Sequence, residues 1–227
     1  MNQSLVQLAK VACFSSAAVL LGACSQMGMS SNMASSNPMS FFLTSANAGK
    51  GADFGGLAGA DAYCQKLATA AGAGGKNWRA YLSTTGATPV NARDRIGKGP
   101  WQNAKGVVVA KNVDDLHGAT NNLNKTTALT EKGEQISGRG DPVNMHDVLT
   151  GSTADGRADM AAKTDTTCGN WTLSGAGSAM VGHHDRTGFD ESAPAKSWNA
   201  SHATRGCDMP SLIATGGNGL MYCFAAN

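Results

Sequence analysis

The side chains best suited to chemistry lie in one stretch of the chain, from Gly182 to His202. It carries imidazole, carboxylate, amide and aromatic groups among glycines and serines: His183, His184, Asp185, Phe189, Trp198, Asn199 and His202. An aromatic ring stacks on the apolar face of a sugar, and fixed donors and acceptors bind its hydroxyls. We predict a ligand-binding loop with Trp198 as the stacking platform. The predicted hydroxyl partners are His184, Asp185 and Asn199.

A structural role is the alternative for the same loop. Its polar groups would then bond to one another, and Trp198 would fill the core. Phe189 is a second candidate stacking face. A further short motif, Arg139-Gly140-Asp141, has the tripeptide that integrins recognise, but Gly-Asp-Pro also forms a turn by itself.

Metal ligation is another possible use of the histidines. His183 and His184 are neighbours, so in a strand their side chains point to opposite faces and do not easily share one ion. His146, Asp147 and His202 could join one of them in space, but no H-E-x-x-H or other paired spacing supports this. We therefore expect ordinary hydrogen-bonded histidines, with no metal and no other cofactor.

Composition and motifs argue against two classes of protein. The chain has no nucleophile elbow, no phosphate-cradling loop and no spaced carboxylate pair, so we expect no enzymatic activity. Its net charge is +2, and this falls to +1 without residues 1–23, whose one charged residue is Lys10. Since nucleic-acid-binding domains normally carry a strongly basic face, we expect no nucleic-acid partner.

The N-terminal residues have the pattern of an export signal. Lys10 precedes an apolar run over residues 11–21, which is shorter than the roughly 20 residues needed to span a bilayer. Leu21-Gly22-Ala23-Cys24 resembles the lipobox of bacterial lipoproteins, which implies cleavage before Cys24 and lipid on its thiol. Ser25 stands where an inner-membrane retention signal usually has Asp, so this resemblance implies an outer-membrane lipoprotein of the cell envelope.

The chain divides into three predicted regions. Residues 1–23 are the lipoprotein signal peptide. Residues 24–39 are a flexible tether, because they lack charge and any apolar period. Residues 40–227 form the folded domain. Its four cysteines, Cys64, Cys168, Cys207 and Cys223, form no C-x-x-C pair, so two disulfides are expected in an exported protein. Spacing alone does not choose among the three possible pairings.

The elements that must position the loop are short. Apolar residues recur at helical spacing over 57–71, with Gly72 as the stop. Short strands are predicted at 41–44, 78–83 and 107–110, and a closing hairpin at 212–215 and 220–224. Residues 111–210 are mostly Gly, Asn, Asp, Thr and Ser, which predicts irregular loops. Glycine, at 29 of 227 residues, is about twice its usual ~7%, so the prediction is a loop-rich α+β domain.

Several separated motifs resemble the endostatin-type C-type lectin-like domain. They recur in that family's order over about residues 40–227: 55–65, 78–83, 90–94, 100–101, 151–156, 168–171 and 220–223. The resemblance implies an α+β C-type lectin-like fold with nested disulfides, Cys64–Cys223 and Cys168–Cys207. It also implies that ligands bind in the long loop between Cys168 and Cys207.

The resemblance does not extend to the calcium site of sugar-binding C-type lectins. Trp198-Asn199 is followed by Ala200 where those lectins have Asp, and neither Glu-Pro-Asn nor Gln-Pro-Asp occurs in the chain. Endostatin's N-terminal zinc ligands have no match here either. The expected function is a lipid-anchored, non-enzymatic, lectin-like protein that binds a glycan or a surface or matrix protein. One alternative is a structural envelope lipoprotein that binds another protein; another is a metal-dependent hydrolase using the histidine loop.

Overall fold

Short strands and few helices make up residues 37–226, the part of the chain that the computed structural model describes. The strands are β1 (Phe41–Leu43), β2 (Trp78–Ala80), β3 (Trp101–Gln102), β4 (Val108–Ala110), β5 (Asp147–Leu149), β6 (Met180–His183), β7 (His202–Ala203) and β8 (Gly217–Ala225). The helices are α1 (Gly56–Ala70), α2 (Val113–His117), α3 (Cys168–Trp171) and α4 (Met209–Thr215). The predicted signal peptide, the lipidation at Cys24 and the tether up to residue 36 lie outside the described residues. No helix within residues 37–226 has the length and apolar character needed to cross a membrane.

The main sheet is built around its last strand. Its order is β1-β8-β5-β6-β7, with β2 also paired to β8, and β3 and β4 form a separate two-stranded sheet. Strands β1 and β2 run antiparallel to β8, whereas β5 runs parallel to it. Strand β5 then pairs antiparallel with β6, and β6 with β7. The loop of residues 184–201 therefore leaves the sheet at the end of β6 and returns to it in β7.

Strand β8 is buried on both faces, which explains its continuous apolar sequence. Side chains alternate along a strand, so Met221 and Cys223 face one side while Tyr222 and Phe224 face the other. The first pair packs in a core with α1, and the second pair in a core with β1, β3 and β4. Two apolar cores thus sandwich the sheet.

Helix α1 confirms the helix predicted over residues 57–71. Its buried residues include Ala60, Cys64 and Ala68, which recur at helical spacing and turn one face toward the sheet. Cys64 bonds to Cys223 in β8, with Cα atoms 5.6 Å apart. The other predicted disulfide, Cys168–Cys207, is also present, with Cα atoms 5.8 Å apart.

The predicted closing hairpin is wrong in its first half. Residues 212–215 belong to helix α4, not to a strand. The Asp208 carboxylate accepts a hydrogen bond from the backbone N–H of Ser211, and Pro210 lies in the first turn, so both residues favour a helix start. Gly216, with φ of 129°, ends the helix and leads directly into β8.

The predicted tether ends earlier than residue 39. Met39 is fully buried in the core beside α1, and the Lys76 ammonium donates to the backbone oxygens of Asn37 and Met39 at 2.6 and 2.5 Å. Residues 37–39 therefore belong to the folded domain.

Residues 111–210 contain more regular structure than the composition predicted. Strands β5, β6 and β7 lie in this region, and together they extend the main sheet by three positions. Each of the three has only two to four residues, too few to give a period-2 pattern that stands out from the surrounding loops. Pairing defines them, rather than local propensity: β5 pairs with β8, β6 with β5, and β7 with β6.

Candidate functional site

Trp198 is part of the core, so the prediction of an exposed stacking platform there is wrong. Only 3% of the residue is exposed, and its ring centroid lies 4.9 Å from that of Tyr81 and 5.4 Å from that of Tyr222. The Trp198 carbonyl also accepts a hydrogen bond from the Tyr222 hydroxyl at 3.1 Å. The fold therefore supports the alternative interpretation, in which Trp198 fills the core.

The Asn199 side chain is buried and donates hydrogen bonds within the domain. Its side-chain nitrogen donates to the Tyr81 hydroxyl at 3.0 Å and to the carbonyl oxygens of Thr153 and Ala154 at 3.1 and 3.2 Å. The residue is 1% exposed. As a hydroxyl partner for an external sugar, Asn199 is inaccessible in this arrangement.

His184 and Asp185 are also directed inward. The His184 ring is fully buried, with Nε2 3.3 Å from the carbonyl oxygen of Ser137. The Asp185 carboxylate accepts from the backbone N–H groups of Arg139 and Thr187 at 2.7 and 3.0 Å, and lies 3.3 Å from Nδ1 of His146. Burial opposes ionisation of Asp185, but these hydrogen bonds outweigh it and lower its pKa to about 2.

Phe189 is the aromatic residue of the loop that faces solvent. It is 88% exposed, and the Arg139 guanidinium carbon lies 4.0 Å from its ring centroid, a cation–π contact that holds the ring in place. With His202, Ala203, Arg205 and Thr215, Phe189 lines an open cleft of about 370 Å³. Of the two candidate stacking faces, the structure leaves Phe189 available.

A second, smaller cleft has a volume of about 210 Å³. Its walls are formed by His117, Gly118, Ala154, Arg186, Ala193, Lys196, Ser197, Trp198 and Asn199. The Arg186 guanidinium is already bonded to the Leu123 carbonyl at 3.0 Å and to the Asn121 side chain. This cleft is smaller than most ligand sites, which start at roughly 300 Å³. Its Arg186 guanidinium also has hydrogen-bond partners within the domain.

The Arg-Gly-Asp tripeptide is bound up within the fold. Arg139 lies over Phe189, and the Asp141 carboxylate pairs with the Lys125 ammonium at 2.6 Å. Asp141 also accepts a hydrogen bond from the backbone N–H of Gly138 at 2.7 Å. The two charged groups of the tripeptide thus have partners within the domain, which disfavours the adhesion interpretation.

A cluster of three histidines and one aspartate lies at the end of strands β5, β6 and β7. Asp147 pairs directly with His183 across β5 and β6, so their side chains share one face of the sheet. His202 pairs with Val181, two residues before His183, and so lies on that face as well. His146 joins by stacking its ring on His183, with centroids 4.1 Å apart.

The imidazoles of this cluster converge on one carboxylate oxygen. Oδ1 of Asp147 lies 3.3 Å from Nε2 of His146, 3.3 Å from Nε2 of His183 and 3.5 Å from Nε2 of His202. The Nε2 atoms of His183 and His202 are 3.0 Å apart. Burial raises the pKa of Asp147, but the facing imidazoles more than compensate, and the pKa lies below its ordinary value.

The sequence offered only a weak signal for this cluster. The chain has five histidines, and four of them, His146, His183, His184 and His202, stand at or beside the ends of strands β5, β6 and β7. The strands are too short to recognise in the sequence, so residue spacing gave no support to the possibility that His146, Asp147 and His202 join His183 in space. The expectation that His183 and His184 point apart is confirmed: His183 enters the cluster, and His184 points toward Ser137.

A scan against protein-family models finds no family that matches this chain, and a search of curated proteins finds no match to it. The function is therefore argued from the geometry of the site.

Proposed function

We propose that this protein is a non-enzymatic, lectin-like binding module of the cell envelope, and that it binds a glycan carrying an acidic group in the Phe189 cleft. The observation that carries the proposal is the exposed Phe189 ring on the wall of a cleft that also contains the Arg205 side chain. A sugar needs an apolar face to stack on and fixed polar groups around it. Phe189 supplies the first, and the Arg205 guanidinium supplies the second.

The preference for an acidic ligand follows from the charges around the cleft. Arg205 is exposed at its edge, Arg139 lies against the Phe189 ring, and none of the described lining residues is acidic. A guanidinium binds a carboxylate through two parallel hydrogen bonds, which selects planar anions over neutral hydroxyls. An acidic sugar therefore fits this cleft better than a neutral one.

The C-type lectin-like fold is part of the same proposal. Its support is the nested disulfide pairing that the resemblance implied, together with the mixed sheet closed by β1 and β8. The lipid anchor at Cys24 is proposed from the lipobox resemblance. Replacing Cys24 by Ser should release the protein from membranes, and unchanged membrane partition would contradict the anchor.

The hydrolase alternative receives less support. A hydrolytic metal needs a coordination position left open for water. Four protein side chains already converge at the histidine cluster, which favours a closed site.

The test is an array of acidic and neutral glycans probed with the full chain extracted in detergent, followed by titration of the strongest ligand. Phe189→Ala should weaken binding about two- to tenfold, since aromatic contacts are worth about 0.5–1.5 kcal/mol. Arg205→Gln should reduce the preference for acidic sugars. Met160→Ala, which removes another exposed apolar side chain, and Arg157→Gln, which removes another exposed arginine, are matched controls.

Both cleft variants should keep the unfolding midpoint of the wild-type protein, because both side chains are exposed. Equal glycan affinity in the wild type and in both cleft variants would reject the cleft. An array without any bound glycan would reject the glycan itself and leave a protein ligand as the better hypothesis.

A further inference from the structure

We infer that His146, Asp147, His183 and His202 form a closed, structural site for one zinc ion. The site is distinct from the Phe189 cleft in its chemistry, although His202 borders both. It does not depend on the glycan proposal, because its four side chains recognise a metal and not a sugar.

Four of the six distances between the donor atoms are close to those of a zinc site. Ligands that lie 2.0–2.1 Å from zinc at tetrahedral angles are about 3.3–3.4 Å apart. The three distances from Asp147 Oδ1 to the histidine Nε2 atoms are 3.3, 3.3 and 3.5 Å, and the His183–His202 distance is 3.0 Å. Donor atoms of His146, Asp147 and His183 all lie within 4.8 Å of one another. A central ion would bind these three after small side-chain movements, and His202 would join them from beside His183.

The other nitrogen of each ring has an acceptor beside it. Nδ1 of His146 faces the Asp185 carboxylate at 3.3 Å, and Nδ1 of His183 faces the Ala195 carbonyl at 2.7 Å. Nδ1 of His202 lies 3.3 Å from the carbonyl of Ala203. In the neutral tautomer that carries its proton on Nδ1, each ring would donate to this acceptor and present the lone pair of Nε2 to the centre. Zinc-binding histidines have this arrangement, with the far N–H bonded to a carboxylate or a carbonyl.

The carboxylate at the centre is otherwise left without a partner. Asp147 is 2% exposed, and neither of its oxygens receives a hydrogen bond of acceptable geometry from the described residues. An ionised carboxylate that is buried without a hydrogen-bond partner is unfavourable, since buried charges are normally paired or bound to a metal. A divalent cation at the convergence point satisfies all four groups at once.

The donor set selects the class of metal. Three imidazole nitrogens and one carboxylate oxygen suit zinc, whereas calcium needs six to eight oxygen ligands. Zinc sites with four protein ligands are structural. Here the ion would join the ends of β5, β6 and β7, and its ligands His183 and His202 stand on either side of residues 184–201. The ion would therefore hold together the two ends of the loop of residues 184–201.

The test uses the full chain without a polyhistidine tag, extracted in detergent and stripped with a chelator. Zinc is titrated against a chromophoric chelator, and cobalt is added separately as a spectroscopic probe. We expect one zinc per chain, the intense visible bands of tetrahedral cobalt, and a higher melting temperature after zinc is restored. His202→Ala and Asp147→Asn should each weaken zinc binding at least tenfold. Asp185→Asn, which changes the partner of His146 Nδ1 without removing a ligand, should weaken it about 10- to 100-fold.

The controls separate this site from chance metal binding. His184→Gln removes the sequence neighbour of His183, and His117→Gln removes a histidine from another part of the domain, so both should retain wild-type zinc affinity. His202 is the ligand least needed for folding, because its side chain is 37% exposed on a two-residue edge strand. If Asp147→Asn does not fold, His202→Ala and the cobalt spectrum of the wild type decide the question.

Three results would overturn the site. The first is less than one zinc per chain under saturating conditions. The second is a weak, octahedral cobalt spectrum. The third is equal zinc affinity in wild type and in His202→Ala, which would show that the cluster is an ordinary hydrogen-bonded group and that the ion binds elsewhere.

Discussion

The two halves of this domain are stabilised by different means. In one half, strands β1 and β8 and helix α1 bury large apolar and aromatic side chains on both faces of the sheet. Residues 111–210 have few apolar side chains, and they depend on buried polar groups such as Asn199 and Asp185 and on the Cys168–Cys207 bridge. A region too polar to form its own core can thus be ordered by directional bonds and cross-links, provided that it borders a region with a core.

The difference also separates where stability and recognition reside. The apolar half leaves little of its strand surface accessible, whereas the polar half presents the Phe189 cleft and contains the histidine cluster. Loops tied at their base can carry binding groups without apolar packing of their own.

The largest effect is expected from the disulfides, one of which lies in each half. Replacing both Cys64 and Cys223 by Ala should lower the free energy of unfolding by up to about 5 kcal/mol. The loss is the larger of the two because the Cys64–Cys223 bridge closes the longer loop. Removing Cys168–Cys207 should lower the free energy of unfolding by up to about 4 kcal/mol. The sequence separations are 159 and 39 residues. Urea unfolding measures both, and a larger loss from the second bridge would show that the polar half depends on its cross-link more than chain entropy predicts.

The next effect concerns two aromatic residues of the same loop. Trp198→Ala should lower the free energy of unfolding by about 3–5 kcal/mol, because it removes a side chain buried against Tyr81 and Tyr222. Phe189→Ala should change it by less than about 0.5 kcal/mol, because the ring is 88% exposed. Thermal and urea unfolding compare the two variants directly. Similar losses in both would mean that the loop packs in solution differently from the arrangement described here.

The smallest effect is a pH dependence that arises at the boundary between the halves. The His117 ring stacks on Tyr81, and burial lowers the pKa of His117 below its ordinary 6.5. The unfolded chain therefore binds this proton more readily than the folded one, so His117 contributes stability above pH 6.5 that is lost as the pH falls.

Unfolding free energies measured from pH 7.5 down to pH 5 should therefore decline less in His117→Gln than in the wild type. Glutamine keeps a polar side chain near the Tyr81 hydroxyl but does not titrate. Parallel pH curves for the two proteins would show that His117 is protonated as easily in the folded state as in the unfolded one.

Several features were determined by the sequence alone because their causes are local. The apolar period over residues 57–71 produces α1 whatever lies beyond it, and Gly72, with φ of 76°, marks its end. The apolar residues of β1 and β8 specify strands, and the four cysteines predict two disulfides. The choice among the pairings came from the motif resemblance and agrees with the structure.

Only the tertiary structure decided what the chemically suited residues do. Trp198 and Phe189 are both aromatic residues of one polar loop, and nothing nearby in the chain shows that the first is buried and the second exposed. The histidine cluster depends on the register of three short strands: β5 pairs with β8, β6 with β5, and β7 with β6, although these segments are separated along the chain. The local sequence pattern does not predict such pairing, because the free energy that fixes the strand register comes from contacts between segments far apart along the chain.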